Sequence, residues 1–298
     1  MTVVLAAKII EMEYPTCLRD ELAKYDKNPT GNVEWDRAVL QVLRQHDRDK
    51  YEPWKALDKI VSDANKEIKR AQIEAQNLAD PNIYQAHVSL VLFVANEIVL
   101  KPQNRRFEID EHNKDVLRFL LYYFNGCPLA EDVFPGRGYK LHKNIMLQGK
   151  KGAGKTLLMQ IFSEYLKRTK NPRYFENVSV TQMVNHFSLY NNIDLYTYNE
   201  AGSTGFQIKP LHLCLNDIGV ENRPFYGIDT LTVVTDFLHA RNELWANQSI
   251  SDRKFAHLTT NLDTAKLTAM FNAKDEYGRI VDRFKTYNVI PLTGDSRR

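Results

Sequence analysis

Apolar residues recur at helical intervals over the first part of the chain, then give way to short apolar runs that alternate with helical stretches. Trp35, Ala38, Val39, Val42 and Leu43 make one apolar stripe of a helix. Leu57, Val61, Ala64, Ile68, Ala71, Ala75 and Leu78 step by four and three, as a heptad seam does, with Lys59, Lys66, Glu67, Lys69 and Arg70 on the other faces. Asp80-Pro81 ends this helix. A more apolar helix is expected over 84–100. After the break at Pro102, Asp110 is the expected N-cap of another helix reaching about Phe124. The seam reads either as a docking surface for a partner helix or as packing within a helical bundle, and its three alanines weaken it.

The stretch 125–140, with Gly126, Pro128, Pro135, Gly136 and Gly138, reads as a linker or entry loop. Beyond it the alternation of strand and helix predicts a parallel sheet covered on both faces. Strands are expected near 144–147, 178–181, 211–215, 255–259 and 289–292, with helices notably at 156–170 and 229–244; the polar stretch 191–203 is an expected loop. The chain therefore divides into an N-terminal α-helical domain, 1–125, and an α/β domain with a five-stranded parallel sheet, 126–298.

Composition narrows the class. The 298 residues carry a formal charge of +3, with 43% hydrophobic and 26% charged residues, as an ordered protein does. That balance permits a local basic face for nucleic acid without demanding one. Cys17, Cys127 and Cys214 lie far apart, which argues against a zinc site or disulfide framework and fits a reducing compartment. The apolar start at Val3 to Ala7 lacks a basic leader, and the longest apolar run, 88–95, is short of the ~20 residues a membrane-spanning helix needs. A cytoplasmic protein with no membrane partner is expected.

The densest chemistry lies at Gly149-Lys150-Lys151-Gly152-Ala153-Gly154-Lys155-Thr156-Leu157. It follows a predicted strand, opens a predicted helix and fits the phosphate-loop pattern G-x-x-x-x-G-K-[ST]. Its glycines let backbone N–H groups turn toward phosphates. Lys155 can reach the β- and γ-phosphates, and the Thr156 hydroxyl can ligate Mg²⁺. The helix that opens at Lys155 aims its positive dipole end at the same anion. A lysine-rich surface turn would fit the letters, but not the strand before and the helix after. The expectation is a nucleoside triphosphate, ATP with Mg²⁺.

Such a site needs a carboxylate near the metal at the end of a buried strand. Leu211 to Gly219 supplies an apolar run ending in Asn216-Asp217. Either Asp217 holds Mg²⁺, or Asp217 orients the attacking water while the neutral Asn216 occupies the metal position. Asn261, after the next predicted strand, can sense the γ-phosphate or help place water. Arg279 and Arg283 lie one helical turn apart, and an arginine presented to a neighbour's nucleotide stabilises transition-state charge; either could instead form a surface ion pair.

Taken in order, Gly149–Thr156, Asn216-Asp217-Ile218-Gly219, Thr259-Thr260-Asn261, Gly278-Arg279 with Arg283, and Leu292 to Arg297 resemble the DnaC/IstB branch of AAA+ ATPases, the replicative-helicase loaders and helper ATPases of transposition. The resemblance covers 139–298. It implies that Lys155 and Thr156 bind phosphate and Mg²⁺, that Asn261 is the first sensor, and that Arg279 or Arg283 is a finger acting across a subunit interface. It further implies a core without the C-terminal helical lid of most AAA+ proteins, for which the stretch after Arg283 is too short. In that branch the third strand ends in two acids; here the first is Asn216, which puts fast hydrolysis in doubt. Three functions follow. The first is a DNA-dependent ATPase that assembles as an oligomer on single-stranded DNA and delivers a replicative helicase, with Lys150, Lys151, Arg173 and the two finger candidates as phosphate contacts. The second is an ATP-dependent assembly switch of the transposition-helper type, with little turnover. The third, ranked lower, is a superfamily 3 type helicase. The N-terminal helices would bind the helicase or the transposase.

Overall fold

The computed structural model describes residues 14–46, 60–66, 77–200, 209–219, 224–225, 228–250, 252–273, 278–294 and 296. The chain forms two compact units, Met1–Ser89 and Leu90–Arg298.

In the first unit, α1 (Thr16–Ala23) and α2 (Val33–His46) bury Leu18, Leu22 and Leu40 against Tyr14, Tyr25, Val33 and Val39. A buried carboxylate fixes the entry to α2. Asp36 accepts from the Tyr14 hydroxyl at 2.6 Å and from the Thr30 backbone N–H and hydroxyl at 3.0 and 2.9 Å. The stripe expected on α2 is displaced: Trp35 and Val42 are exposed, and the buried line runs through Asp36 and Leu40, one helical turn apart. Residues 60–66 of the expected seam are helical, and most of the rest of it lies outside the described residues.

Helix α3 (Pro81–Phe93) starts in the first unit and ends in the second. Asp80 accepts from the Asn82 N–H at 2.7 Å, so the Asp80-Pro81 pair, expected as a helix end, opens α3. The helix expected over 84–100 changes pitch at Val94–Val99, a π-helical turn in which the Asn96 side chain pairs with the backbone of Phe107. Helix α4 (Lys114–Phe124) begins later than expected. Asn113 is its N-cap residue, and Asp110 instead accepts from the N–H groups of His112 and Asn113 in the turn before it. Eight of the residues of α4, from Val116 to Phe124, are buried. Tyr123 and Phe124 join an aromatic cluster with Phe162, Phe175, Phe255 and His257. Each large side chain buried there contributes about 1.5–3 kcal/mol, which ties α4 into the unit that holds the sheet, Leu90–Arg298. The stretch 125–140 is likewise packed: Tyr139 donates to Val289 O at 2.5 Å, and the Asn288 amide pairs with the Lys140 backbone.

The sheet is β1 (Asn144–Gln148), β2 (Glu176–Ser179), β3 (Leu213–Ile218), β6 (Ala256–Thr260) and β7 (Tyr287–Pro291), all parallel in the order β2-β3-β6-β1-β7. A two-stranded hairpin, β4 (Pro224–Phe225) with β5 (Ile228–Asp229), comes after β3 in the chain. Helices α5 (Lys155–Arg168), α6 (Val180–Tyr190), α7 (Thr230–Asn247), α8 (Thr264–Asn272) and α9 (Arg279–Arg283) complete the unit. All five expected strands occur, each with at least one end shifted. β2 stops at Ser179 because Ser179 and Gln182 cap α6 reciprocally, at 3.1 and 2.8 Å. β3 starts at Leu213, leaving Leu211 exposed, and carries Asn216 and Asp217 within the strand. Among the described residues no helix follows β7, and none is long and apolar enough to cross a membrane.

Candidate functional site

Parallel strands bring the chain segments that leave β1, β3 and β6 to one edge of the sheet, the edge where ligands of such folds bind. β1 lies between β6 and β7, and its residues Ile145, Met146 and Leu147 are buried. The loop after it stays tied to both neighbours. The Gly149 N–H donates to Thr260 O at 3.2 Å, and the Leu292 N–H donates to Gln148 O at 2.7 Å. A Cβ on Gly149 would stand 2.2 Å from Leu292 O, and Gly152 has φ +87°. Only glycine fits the first position, and the second favours it strongly. Gly154, also left-handed, is the N-cap residue of α5 and supplies no side-chain cap, and the N-terminus of such a helix favours an anion.

Lys155 is 4% exposed. Its ammonium donates to Gly149 O at 2.8 Å, Lys150 O at 2.9 Å and Asn261 Oδ1 at 2.7 Å. The loop lysine and the asparagine after β6 therefore meet directly. Three neutral oxygens hold the charge, an arrangement a phosphate oxygen could enter by exchanging with them. Thr156 is half-buried at the first turn of α5, while Lys150 and Lys151 are exposed.

The end of β3 is irregular. Its register with β6 shifts between Leu215 and Ile218, and Asp217 sits in the bulge at φ +65° with its N–H donated to the Thr259 hydroxyl at 2.9 Å. The bulge lets Asn216 and Asp217 differ in environment. Asp217 is half-buried. Asn216 is 3% exposed: its Nδ2 donates to Asn177 Oδ1 at 3.1 Å and Cys214 O at 3.5 Å, and its Oδ1 accepts from the Thr259 hydroxyl at 3.2 Å. Burial first, and then the Asp217 carboxylate, push the Cys214 thiol far above its usual value, so it stays a neutral packing group. Among the described residues no three His, Cys, Asp or Glu side chains cluster as a complete metal site. Thr156 and Asp217 would have to hold Mg²⁺ together with oxygens of the bound phosphates and water, as Mg²⁺ commonly requires.

Arg279 and Arg283 stand on α9, which Ile280 anchors in the core. Arg279 is exposed. Arg283 is half-buried, its Nη1 is buried without a hydrogen-bond partner, and burial lowers its pKa below the usual guanidinium value. Arg173 is not available for phosphate. Its guanidinium donates to Tyr123 O at 2.7 Å and lies over the rings of Tyr123 and Phe255.

Several residues of this edge were not singled out in the sequence. Gln148 joins β1 to the turn after β6 by donating to Leu262 O at 2.8 Å. Asn177, on the edge strand β2, orients Asn216. His112 meets the segment after β7, where Thr293 Oγ1 is 3.4 Å from its Nδ1. Polar residues at strand positions were the available signal for Gln148 and Asn177; for His112 there was none.

Strand order, parallel pairing and the loop between β1 and α5 define an AAA+-like α/β fold. No protein-family model matches the chain, and no curated protein matches it. Among solved structures it is similar to a DnaC helicase loader, at 13% identity over 63% of this chain and 93% of the other with a TM-score of 0.41. It is also similar to DnaI, at 18% identity over 64% and 89% with a TM-score of 0.39.

Proposed function

We propose that this chain binds Mg²⁺–ATP at 149–157 and acts as an ATPase of the loader type, assembling into a homo-oligomer on single-stranded DNA. The observation that carries the reading is the Lys155 ammonium, held at once by two loop carbonyls and by Asn261. A lysine on a mere surface turn would be solvated; this one is buried and reaches the asparagine that follows β6. When bound, Mg²⁺ neutralises charge developing on the transferred phosphoryl group. Lys155 and the N–H groups of the loop hold the phosphate oxygens, and Asn261 couples the end of β6 to them. Asp217 holds the metal or orients the attacking water. Arg279 or Arg283 serves as the finger toward a neighbouring copy. The N-terminal unit, Met1–Ser89, is assigned to the partner, a replicative helicase or a transposase, and the basic residues proposed for DNA phosphates are Lys150, Lys151 and the α9 arginines.

One observation favours a second reading, an ATP-dependent assembly switch with slow turnover. Asn216 spends its amide on Asn177, Cys214 and Thr259 and brings no charge to the metal position. Steady-state ATP hydrolysis with and without single-stranded DNA, with Lys155→Ala as the blank, separates the two. Turnover that rises with DNA and disappears in the variant supports the motor. ATP bound without turnover supports the switch. Neither binding nor turnover would overturn both.

A further inference from the structure

The segment after β7 leaves the sheet beside the phosphate loop, because β7 pairs in parallel with β1. Leu292 is bonded to Gln148, and its carbonyl closes the space beside Gly149. Ser296 lies against Gly152: a Cβ there would stand 2.3 Å from Ser296 Oγ and 3.1 Å from Ser296 Cα. Between these two contacts the segment is braced from its other side. Gly294, at φ +104°, would bring a Cβ within 3.2–3.3 Å of three His112 atoms, and Thr293 Oγ1 is 3.4 Å from His112 Nδ1. His112 is itself held in the turn that Asp110 caps before α4.

A loop whose glycines take left-handed conformations has many alternatives open to it when unsupported. Here two of its glycines have no free side, because Leu292 and Ser296 fill it. We propose that Leu292, Thr293, Gly294 and Ser296 form a strap that holds the phosphate loop in its binding conformation. Ser296 and His112 act as positioning residues, Ser296 by touching the loop and His112 by backing the strap. This sheet edge is preorganised by the chain that leaves β7. The ligand class, a nucleoside triphosphate, rests on the function proposed above; the mechanical role of the strap does not.

The test compares the full chain with Ser296→Phe, whose larger side chain crowds the contact with Gly152. Amide hydrogen exchange over 149–154, measured without nucleotide, is expected to speed up in Ser296→Phe. Binding of a fluorescent ATP analogue is expected to weaken roughly tenfold in Ser296→Phe, the loss of preorganisation, with the thermal midpoint little changed. His112→Ala is a second route that leaves the strap's own sequence intact; it should speed the same amides, and a chain unfolded by Ser296→Phe leaves this variant to decide. Unchanged loop exchange in His112→Ala and in a folded Ser296→Phe overturns the strap. Failure of the parent to bind the analogue would sink the nucleotide reading alone, because the exchange measurement still decides the strap.

Discussion

Replacing Asn216 by aspartate would restore the charge that the resemblance leads one to expect, and the structure says what that costs. The Asn216 Nδ2 faces two acceptors, Asn177 Oδ1 at 3.1 Å and Cys214 O at 3.5 Å. A carboxylate oxygen there would oppose both. Asn177 cannot turn its amide round freely, because its Nδ2 already donates to Met159 O at 3.3 Å. The Thr259 hydroxyl, at 3.2 Å from the Asn216 Oδ1, and the weak donor of the Cys214 thiol, at 3.7 Å, would remain as partners. A position only 3% exposed would thus hold a charge with most of its hydrogen bonding lost, at a cost of about 3 kcal/mol. In a domain of this size that lowers Tm by roughly 6–12 °C. If the position faces the metal, Mg²⁺–ATP should recover much of the deficit, beyond the stabilisation that any bound ligand gives, and turnover should rise. Thermal unfolding of Asn216→Asp and the parent, each with nothing, with ATP and chelator, and with Mg²⁺–ATP, tests the stability terms, and an ATPase assay tests the last. A variant as stable as the parent without ligand would refute the hydrogen-bond argument. A deficit that Mg²⁺–ATP leaves unchanged would refute a metal-facing role for this position.

Other perturbations act through neighbouring contacts. Asn261→Ala removes the partner of Lys155 at 2.7 Å. ATP turnover should fall by about tenfold or more while affinity for the fluorescent analogue changes much less, as for groups that act chiefly in the transition state. Arg241 is 2% exposed and ties Thr197 O, Lys254 O and Phe255 O together at 3.4, 3.0 and 3.0 Å. Arg241→Ala should lower stability in urea by about 3–5 kcal/mol, and Arg241→Met, which keeps the stem, by clearly less. His257 accepts the Ile145 N–H at 3.2 Å and His212 accepts the Phe255 N–H at 3.0 Å, so both rings must stay neutral at Nδ1. Burial is the main cause that lowers their pKa values, His212 to about 3 and His257 well below its usual value. The unfolded chain therefore takes up protons that the fold refuses. Stability should be level above the unfolded value near ~6.5 and fall by about 1.4 kcal/mol per pH unit for each histidine below it. For His212 the fall ends near pH 3. Urea midpoints at pH 7, 6 and 5 check the slope, and it should shrink in His212→Asn.

The glycine-rich turn between β1 and α5 was legible because its signals are local: the spacing of Gly149, Gly154 and Lys155, with a strand before and a helix after, is contained in a few turns of chain. The five strands were legible for the same reason, since period and turn residues mark them. What stayed hidden depends on which strand lies beside which. Asn177 reaches Asn216 only because β2 pairs with β3, and Asn261 reaches Lys155 only because β6 pairs with β1. The bulge at Asp217 arises from a register mismatch between β3 and β6 and has no signature within either. Burial of α4 was hidden too. Its apolar residues fit a separate bundle as well as they fit the sheet, and only the ring contacts of Tyr123 and Phe124 with Phe255 and His257 decide between them. On α2 the pattern misled, because the buried Asp36 lies on the inner face and Trp35 on the outer one.

The central claim is that the edge formed by Lys155 and Asn261 is a nucleotide site. Equilibrium titration of the full chain with ATP by calorimetry, in Mg²⁺ and beside Lys155→Ala, tests it most directly. Saturable binding by the parent and its loss in a folded Lys155→Ala is the expected result. Equal binding by both, or none by the parent, would contradict the claim.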